Sequence, residues 1–258
     1  MISPLAYIHP DAKIGKNVRI DPFAYIEGDV EIGDDSHIFS NAVVMEGSRI
    51  GKECKIFPGA VVGAIPQDKK FKGEYSLAIL GDRVTVRESA TVNRGTEASG
   101  KTIVGNDVLI MANAHVAHDC EVGDHVILAN SVALAGHVQV HDWAILGGLA
   151  AVHQFVRIGA HVMVSGGSLV HNDVPPYITV ARDPLKYMGI NSTGLKRRGF
   201  KPGKIREIHE IYRHLYLKNM NLSQAMEYVE EHFEPTPERN YILEFIRASK
   251  RGVVKGII

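Results

Sequence analysis

The chain has 258 residues, 45% hydrophobic and 22% charged, which suits one large or two smaller globular domains. Its 29 basic and 29 acidic residues cancel, so no global field favours nucleic acid or an anionic membrane. Two cysteines, Cys54 and Cys120, exclude a disulfide framework; the start, MISPLAYIHP, lacks a signal peptide's apolar core; and no run of 18 apolar residues could span a bilayer. The expected compartment is the cytoplasm.

From Ile8 onward every sixth residue is aliphatic: Ile14, Ile20, Ile26, Ile32, Ile38, Val44, Ile50, Ile56 and Val62. The series resumes at Leu80, Val86 and Val92, and again from Val104 through Val170, for 25 hexads. Four residues after each aliphatic comes a small or β-branched residue, such as Ala12, Val18, Ala24 and Val30. A period of six fits neither helix nor strand alone. It fits a two-residue strand plus a turn, stacked on copies of itself. Three units closing a triangle give an 18-residue coil, and coils stack at about 4.8 Å. The expected fold is therefore mainly β, a parallel β-helix of roughly eight coils, on the order of 40 Å long. Cys54 and Cys120 fall in the small inward slot and read as buried hydrophobes.

Two segments break the period: 63–79 (GAIPQDKKFKGEYSLAI) and 97–103 (EASGKTI). Loops on a rigid scaffold tend to carry function. Residues 95–102, GTEASGKT, spell the phosphate-loop pattern, but that motif must open a helix, and here the strand-turn repeat resumes. The match reads as coincidence.

Histidines gather between 115 and 171. By the 18-residue ruler, His137 and His153 stack within one position of His118 along one edge of the prism, and His171 lies one coil beyond His153. None occupies an inward slot. Two chemistries fit such a column, metal binding and general-base catalysis. A straight line of imidazoles is poor tetrahedral geometry within one chain, and Asp119 beside His118 favours a base held by a carboxylate. The bland alternative is that turns tolerate polar residues.

The repeat ends at Val174-Pro175-Pro176, giving a β-helix domain over 1–176 and a linker plus α-helical domain over 177–258. No period is visible in 177–200. Three helices follow: one from Pro202 with Ile205, Ile208, Ile211, Tyr212 and Leu215 on one face; one over about 222–234; and one capped by Thr236, with Pro237 at its first position, that ends near Gly252. Six of the eleven residues 196–206 (KRRGFKPGKIR) are basic, and Arg197-Arg198 suits a diphosphate, against the plainer reading of a solvated linker.

NAHVAHDC, ILAN, LAGHV, AVHQF, IGAHVMV, DVPPY and GLKRRGF occur in that order. Together they closely resemble the acyl-[acyl-carrier-protein]–UDP-N-acetylglucosamine O-acyltransferase family of lipid A biosynthesis, over essentially the whole chain. The resemblance implies a left-handed β-helix, a homotrimer with sites between neighbouring prisms, and no metal or cofactor. It implies transfer of an (R)-3-hydroxyacyl group from acyl carrier protein to the 3-hydroxyl of UDP-N-acetylglucosamine. The family's general base falls on His118, its supporting carboxylate on Asp119, and its oxyanion donor on the N–H of Gly136. Substrate contacts fall on Gln67, Asp68, Lys70, His115, His137, His153, Gln154, Asn191, Arg197 and Arg198, and the region that measures acyl length on Met163 and Gly166. The acidic carrier protein would dock on basic surface that includes part of 196–206. The chain departs from the family at Thr193, where an acidic residue is usual, and near Pro184, where a histidine often caps the acyl tunnel. Three rivals remain: the N-acyltransferase of the same pathway, which has an added N-terminal domain where these hexads begin at Ile8; a trimeric β-helix carbonic anhydrase with zinc between subunits; and a β-helix scaffold with no enzymatic activity.

Overall fold

The computed structural model describes residues 1–217 and 220–256. Consecutive short strands, such as His115–Val116, Glu121–Val122 and Ile127–Leu128, go to three different sheets. These sheets, of nine, eight and ten strands, are the three faces of a prism. We call them the first, second and third faces in the order the chain visits them. Register along the first face runs His115 to Ala133 to Ala151 and Val116 to Leu134 to Val152, a coil of 18 residues. Parallel strands stack because each coil passes its hydrogen bonds to the next, as in His115 N–H to the Val132 carbonyl at 2.8 Å.

The core is the hexad itself. Ile110, Val116, Leu128, Leu134 and Leu146, with the small partners Ala114, Cys120, Val126 and Val132, are buried. Each such aliphatic contributes about 1.5–3 kcal/mol relative to exposure. Burial raises the thiol pKa of Cys120 to about 12, so it packs as a hydrophobe. Corners need a left-handed residue, supplied once per turn by residues such as Asp107, Asn113 and Asp119 (φ 56°, 61° and 59°). Glycine is obligatory where coils touch: a Cβ on Gly33 would lie 2.6 Å from the Gly51 carbonyl carbon.

Several expected boundaries move. Strands Val61–Ala64 and Leu77–Leu80 trim the first break from 63–79 to a loop over 65–76. Lys101–Val104 is a strand paired with Leu77–Leu80, so the second break is a turn over 96–100 rather than 97–103. Backbone pairing extends past the inward aliphatics, and the hexad pattern counts only the latter. The sheet does not stop at 176: Ile178–Ala181 pairs with Met163–Val164, and Lys186–Ile190 folds back antiparallel upon it. A reversing hairpin has no six-residue period, so 177–200 looked featureless.

Among the described residues four helices follow instead of three. The short α1 (Ser192–Arg197) is capped by Asn191, whose side chain accepts the Gly194 N–H. Then come α2 (Pro202–Leu217), α3 (Leu222–His232) with an Asn221/Gln224 capping box, and α4 (Pro237–Arg247) capped by Thr236. The α4 helix ends well before Gly252. That glycine (φ 71°) instead turns the chain so that Val253 and Lys255 bridge to Asp173 and Lys186 on the β-helix. Tyr241 of α4 reaches His141 Nδ1 (2.8 Å) and accepts the Ala160 N–H (3.0 Å), which ties the helices to the prism. No described helix is long and apolar enough to cross a membrane.

Candidate active site

His118 and Asp119 sit where the chain turns from the first face (His115–Val116) to the second (Glu121–Val122). Both irregular segments leave the same edge. The 65–76 loop joins Val61–Ala64 to Leu77–Leu80, and the 96–100 turn joins Thr91–Asn93 to Lys101–Val104, on the two preceding coils. The sequence held this signal: the breaks follow Val62 and Val92 just as His118 follows Val116.

The Asp119 side chain is fully buried, yet it is charged. Burial opposes the charge, but hydrogen bonds from Ser99, His118 and Thr96 outweigh it and hold the carboxyl pKa at about 2. Thr96 gives its N–H (3.0 Å) and its hydroxyl (2.7 Å), Ser99 Oγ contacts Oδ1, and His118 Nδ1 lies 2.7 Å from Oδ2. The Asp119 N–H in turn donates to Thr102 Oγ1 (2.9 Å). An ionised carboxylate only accepts, so His118 Nδ1 carries a proton, and in the neutral imidazole the lone pair is on Nε2.

The edge histidines form three adjacent files rather than one column. One coil above His118 stands Gly136, above Asp119 stands His137, and above Ala135 stands His153. A Cβ on Gly136 would lie 2.5 Å from His118 Cε1 and 2.6 Å from Nε2. Glycine therefore keeps the approach to Nε2 open. His137 meets the His118 ring edge-on at 5.2 Å and stacks on Phe155. His153 is exposed, turns its Nδ1 to the Gln154 carbonyl and meets the His171 ring at 5.8 Å. The one-position slips mattered because neighbouring turn residues point in different directions.

Two adjoining cavities open at His118. One, of about 370 Å³, is lined by His115, Gly136, Gln154, Gln67 and small side chains of the first face. The other, of about 480 Å³, is lined by Gln67, Asp68, Lys70, His137 and Phe155. His115 bonds Thr91 Oγ1 at 2.6 Å, and burial, then the proximity of His118, lowers its pKa and keeps it neutral. The 65–76 loop is held over the edge by residues the sequence did not flag. Asn93 Nδ2 donates to the Ala64 and Ile65 carbonyls, the Arg94 guanidinium lies 5.7 Å over the Phe71 ring, and Glu74 accepts the Glu97 N–H at 3.1 Å.

The remaining expected contacts lie elsewhere in the chain. Met163 is on the third face, and Gly166 is at the turn from the third face to the first. Asn191 and Arg198 stand at the corner between second and third faces. There Asn191 donates to the His161 carbonyl, and Arg198 lies over Trp143 and 3.3 Å from His161 Nδ1. Burial, then the Arg198 charge, lowers the His161 pKa to about 4. Arg197, on the same short helix, is exposed. Within one chain, acid–base groups and this basic corner occupy different edges.

The donor set also speaks to metal binding. Ligand atoms of His118, Asp119 and His137 lie within 4.8 Å of one another. The Asp119 carboxylate, however, already has four hydrogen-bond partners, about the capacity of its lone pairs. The phosphate-loop spelling has a local cause too. Gly95 must be glycine because a Cβ would lie 2.3 Å from the Lys101 nitrogen, Gly100 turns at φ 71°, and Thr102 lies in the strand Lys101–Val104 rather than opening a helix.

Comparison with known proteins places the chain in a family with this fold. Residues 173–254 match the model of domain 2 of UDP-N-acetylglucosamine O-acyltransferase, 101–136 the bacterial transferase hexapeptide model, and 2–107 the GMPPB C-terminal domain. A relative from Xanthomonas oryzae pv. oryzae, acyl-[acyl-carrier-protein]–UDP-N-acetylglucosamine O-acyltransferase, is 44% identical over 99% of this chain and 98% of its own. A Bacteroides fragilis crystal structure described as LpxA, a UDP-N-acetylglucosamine acyltransferase, superposes with a TM-score of 0.97 at 51% identity, covering 99% of this chain and 100% of that one. The Francisella novicida UDP-N-acetylglucosamine acyltransferase gives 0.96 at 38%, covering 100% and 95%.

Proposed function

The chain belongs to the acyl-[acyl-carrier-protein]–UDP-N-acetylglucosamine O-acyltransferase family, and from that premise we propose that His118 is the general base of its acyl transfer. The fold is a left-handed parallel β-helix with a helical C-terminal part, and the protein is an acyltransferase acting at the first step of lipid A biosynthesis. The observation that carries the catalytic assignment is the His118–Asp119 pair, a buried charged carboxylate fixing the imidazole so that Nε2 faces an open cleft.

In this reading the 3-hydroxyl of UDP-N-acetylglucosamine attacks the thioester carbonyl of an (R)-3-hydroxyacyl carrier protein. His118 Nε2 takes the hydroxyl proton as the C–O bond forms, and Asp119 stabilises the resulting imidazolium. The Gly136 N–H, which makes no hydrogen bond among the described residues, is the donor for the tetrahedral oxyanion. When the intermediate collapses the C–S bond breaks, and the imidazolium returns its proton to the departing thiolate. Gln67, Asp68, Lys70, His115, His137 and Gln154 line the cleft that receives acyl group and sugar. His153 lies beside it on the same edge, and Asn191, Arg197 and Arg198 bring cationic and polar groups suited to the diphosphate and base. Met163 and Gly166 act along the path of the acyl chain.

Asn191, Arg197 and Arg198 lie at another edge, and Met163 and Gly166 on and beside the third face, which supports a homotrimer in which a neighbouring prism presents its basic corner to the His118 edge. The acidic carrier protein meets the exposed Lys196, Arg197 and Lys201; Lys204 is already engaged by Glu207 and Glu238. The reaction uses neither metal nor cofactor, consistent with a carboxylate whose lone pairs are spent on protein donors. The setting is cytoplasmic. The N-acyltransferase, carbonic anhydrase and scaffold readings are not favoured beside relatives named as O-acyltransferases over the full chain. His118→Ala abolishes transfer while the circular dichroism spectrum stays unchanged; near-normal turnover would sink the assignment.

A further inference from the structure

Residues 95–102 lead into a strand rather than a phosphate-binding helix, and none of them takes part in the acyl transfer described above. The segment nevertheless places two hydroxyls on the Asp119 carboxylate and a third on the backbone of the same residue. Thr96 Oγ1 lies 2.7 Å from Asp119 Oδ2 and the Thr96 N–H 3.0 Å from Oδ1, while Ser99 Oγ contacts the same Oδ1. Thr102 Oγ1, fully buried, fixes the Asp119 backbone from below. Thr96 and Ser99 lie 23 and 20 residues before Asp119, so no local turn forces the contact. The turn departs from the hexad on the coil preceding Asp119, at the same edge, and its ends close on each other through the Gly100 N–H to the Thr96 carbonyl at 2.7 Å. Ordinary hexad turns also bond across a coil, as the Asp124 N–H does to Asp142 Oδ1, but among the described residues only the Asp119 carboxylate accepts from two side-chain hydroxyls.

We infer that the 96–100 turn is a hydroxyl clamp, with Thr96 and Ser99 as positioning residues that hold Asp119 against His118 Nδ1 and keep it the acceptor of that proton. The inference rests on the base reading of His118. The physical need is plain. A carboxylate out of contact with solvent tends to take up a proton. A protonated Asp119 would no longer be bound to accept from Nδ1, and Nε2 could then carry the imidazole proton and lose its basicity. Donors on both oxygens remove that option. The other charged or titratable groups around the pair are His137, 3.6 Å from Asp119 Oδ2, His115 on the first face, Asp68, Lys70 and Glu74 of the loop, Glu97 of the turn itself, and the buried Cys120 thiol. None of these gives Asp119 a hydrogen bond among the described residues, so the hydroxyls carry the task.

The test is the pH dependence of kcat for the full-length enzyme and for Thr96→Val, Ser99→Ala, their double variant, Thr96→Ser and His118→Ala. Thr96→Val keeps shape and the backbone donor and loses only the hydroxyl. The double variant is expected to lose on the order of tenfold or more in kcat at neutral pH, with KM changed less than about twofold. Its acid limb moves to higher pH whichever member of the pair takes the proton, and Thr96→Ser restores both rate and limb. If His118→Ala is inactive but the double variant keeps the wild-type kcat and acid limb, the clamp is wrong while the base stands. A rate loss with an unmoved limb and no rescue by Thr96→Ser likewise overturns it, as the mark of a merely structural turn. If His118→Ala stays active, base and clamp fall together.

Discussion

At the residue scale the decisive position is Gly136, the residue one coil above His118. The absence of a side chain there leaves space in front of Nε2, and any Cβ would fill it at 2.6 Å. His118 cannot yield, because its Nδ1 is held by Asp119. Gly136→Ala should therefore cut kcat/KM by at least about a hundredfold, comparable to losing the base or an oxyanion donor, with a melting temperature within a few degrees of wild type. Near-normal kcat/KM in this variant would mean that substrate does not approach along that line. The pairing of His118 with Asp119 was legible in the sequence, and Gly136 entered through the family resemblance as an oxyanion donor, not as a position that must lack a side chain. The hydroxyl donors to Asp119 were not legible. Thr96 and Ser99 meet Asp119 across a coil, through a turn with no repeat phase, and nothing in the letters GTEASGKT distinguishes a clamp from a coincidence.

At the element scale the site depends on two insertions that leave one edge on consecutive coils. The strands carry no choice here, since backbone ladders and inward aliphatics fix them, and that is why the hexad reading located nearly every strand. The loop over 65–76 is different: its position comes from Asn93, Arg94 and Glu74. The Arg94 guanidinium gives a cation–π contact to Phe71 and a hydrogen bond to the Glu46 carbonyl at 3.1 Å, together about 1–2 kcal/mol. Arg94→Leu should raise KM by roughly tenfold and leave kcat within a few-fold, because the loop binds while His118 reacts. Steady-state kinetics with both substrates checks this, and an unchanged KM would show that the loop is held by other contacts. The hairpin of Ile178–Ala181 and Lys186–Ile190 and the short α1 escaped the sequence reading because neither has a period. A helix of six residues has too few turns to display a stripe, and a single antiparallel return leaves no repeat to find.

At the scale of the whole molecule the prism distributes its chemistry over separate edges. The acid–base pair lies between first and second faces; Asn191, Arg198 and His161 lie between second and third. If neighbouring prisms complete each other's sites, two inactive variants can rescue one another. Mixing denatured His118→Ala and Arg198→Ala chains in equal amounts and refolding them together should restore about a quarter of the sites by random assortment in a closed ring. Each parent refolded alone should stay at its own low level. Activity no higher than the sum of the parents would place every essential group within one chain.

Transfer of an acyl group to a sugar hydroxyl by His118 is tested most directly by the mass and lability of the product. Wild type and His118→Ala are each given a series of (R)-3-hydroxyacyl carrier-protein thioesters with UDP-N-acetylglucosamine. Wild type is expected to yield a nucleotide sugar heavier by one hydroxyacyl group, cleaved by mild alkali as an ester, and His118→Ala to yield none. An alkali-stable amide, no acylated sugar from any thioester, or equal product from both proteins would contradict this assignment.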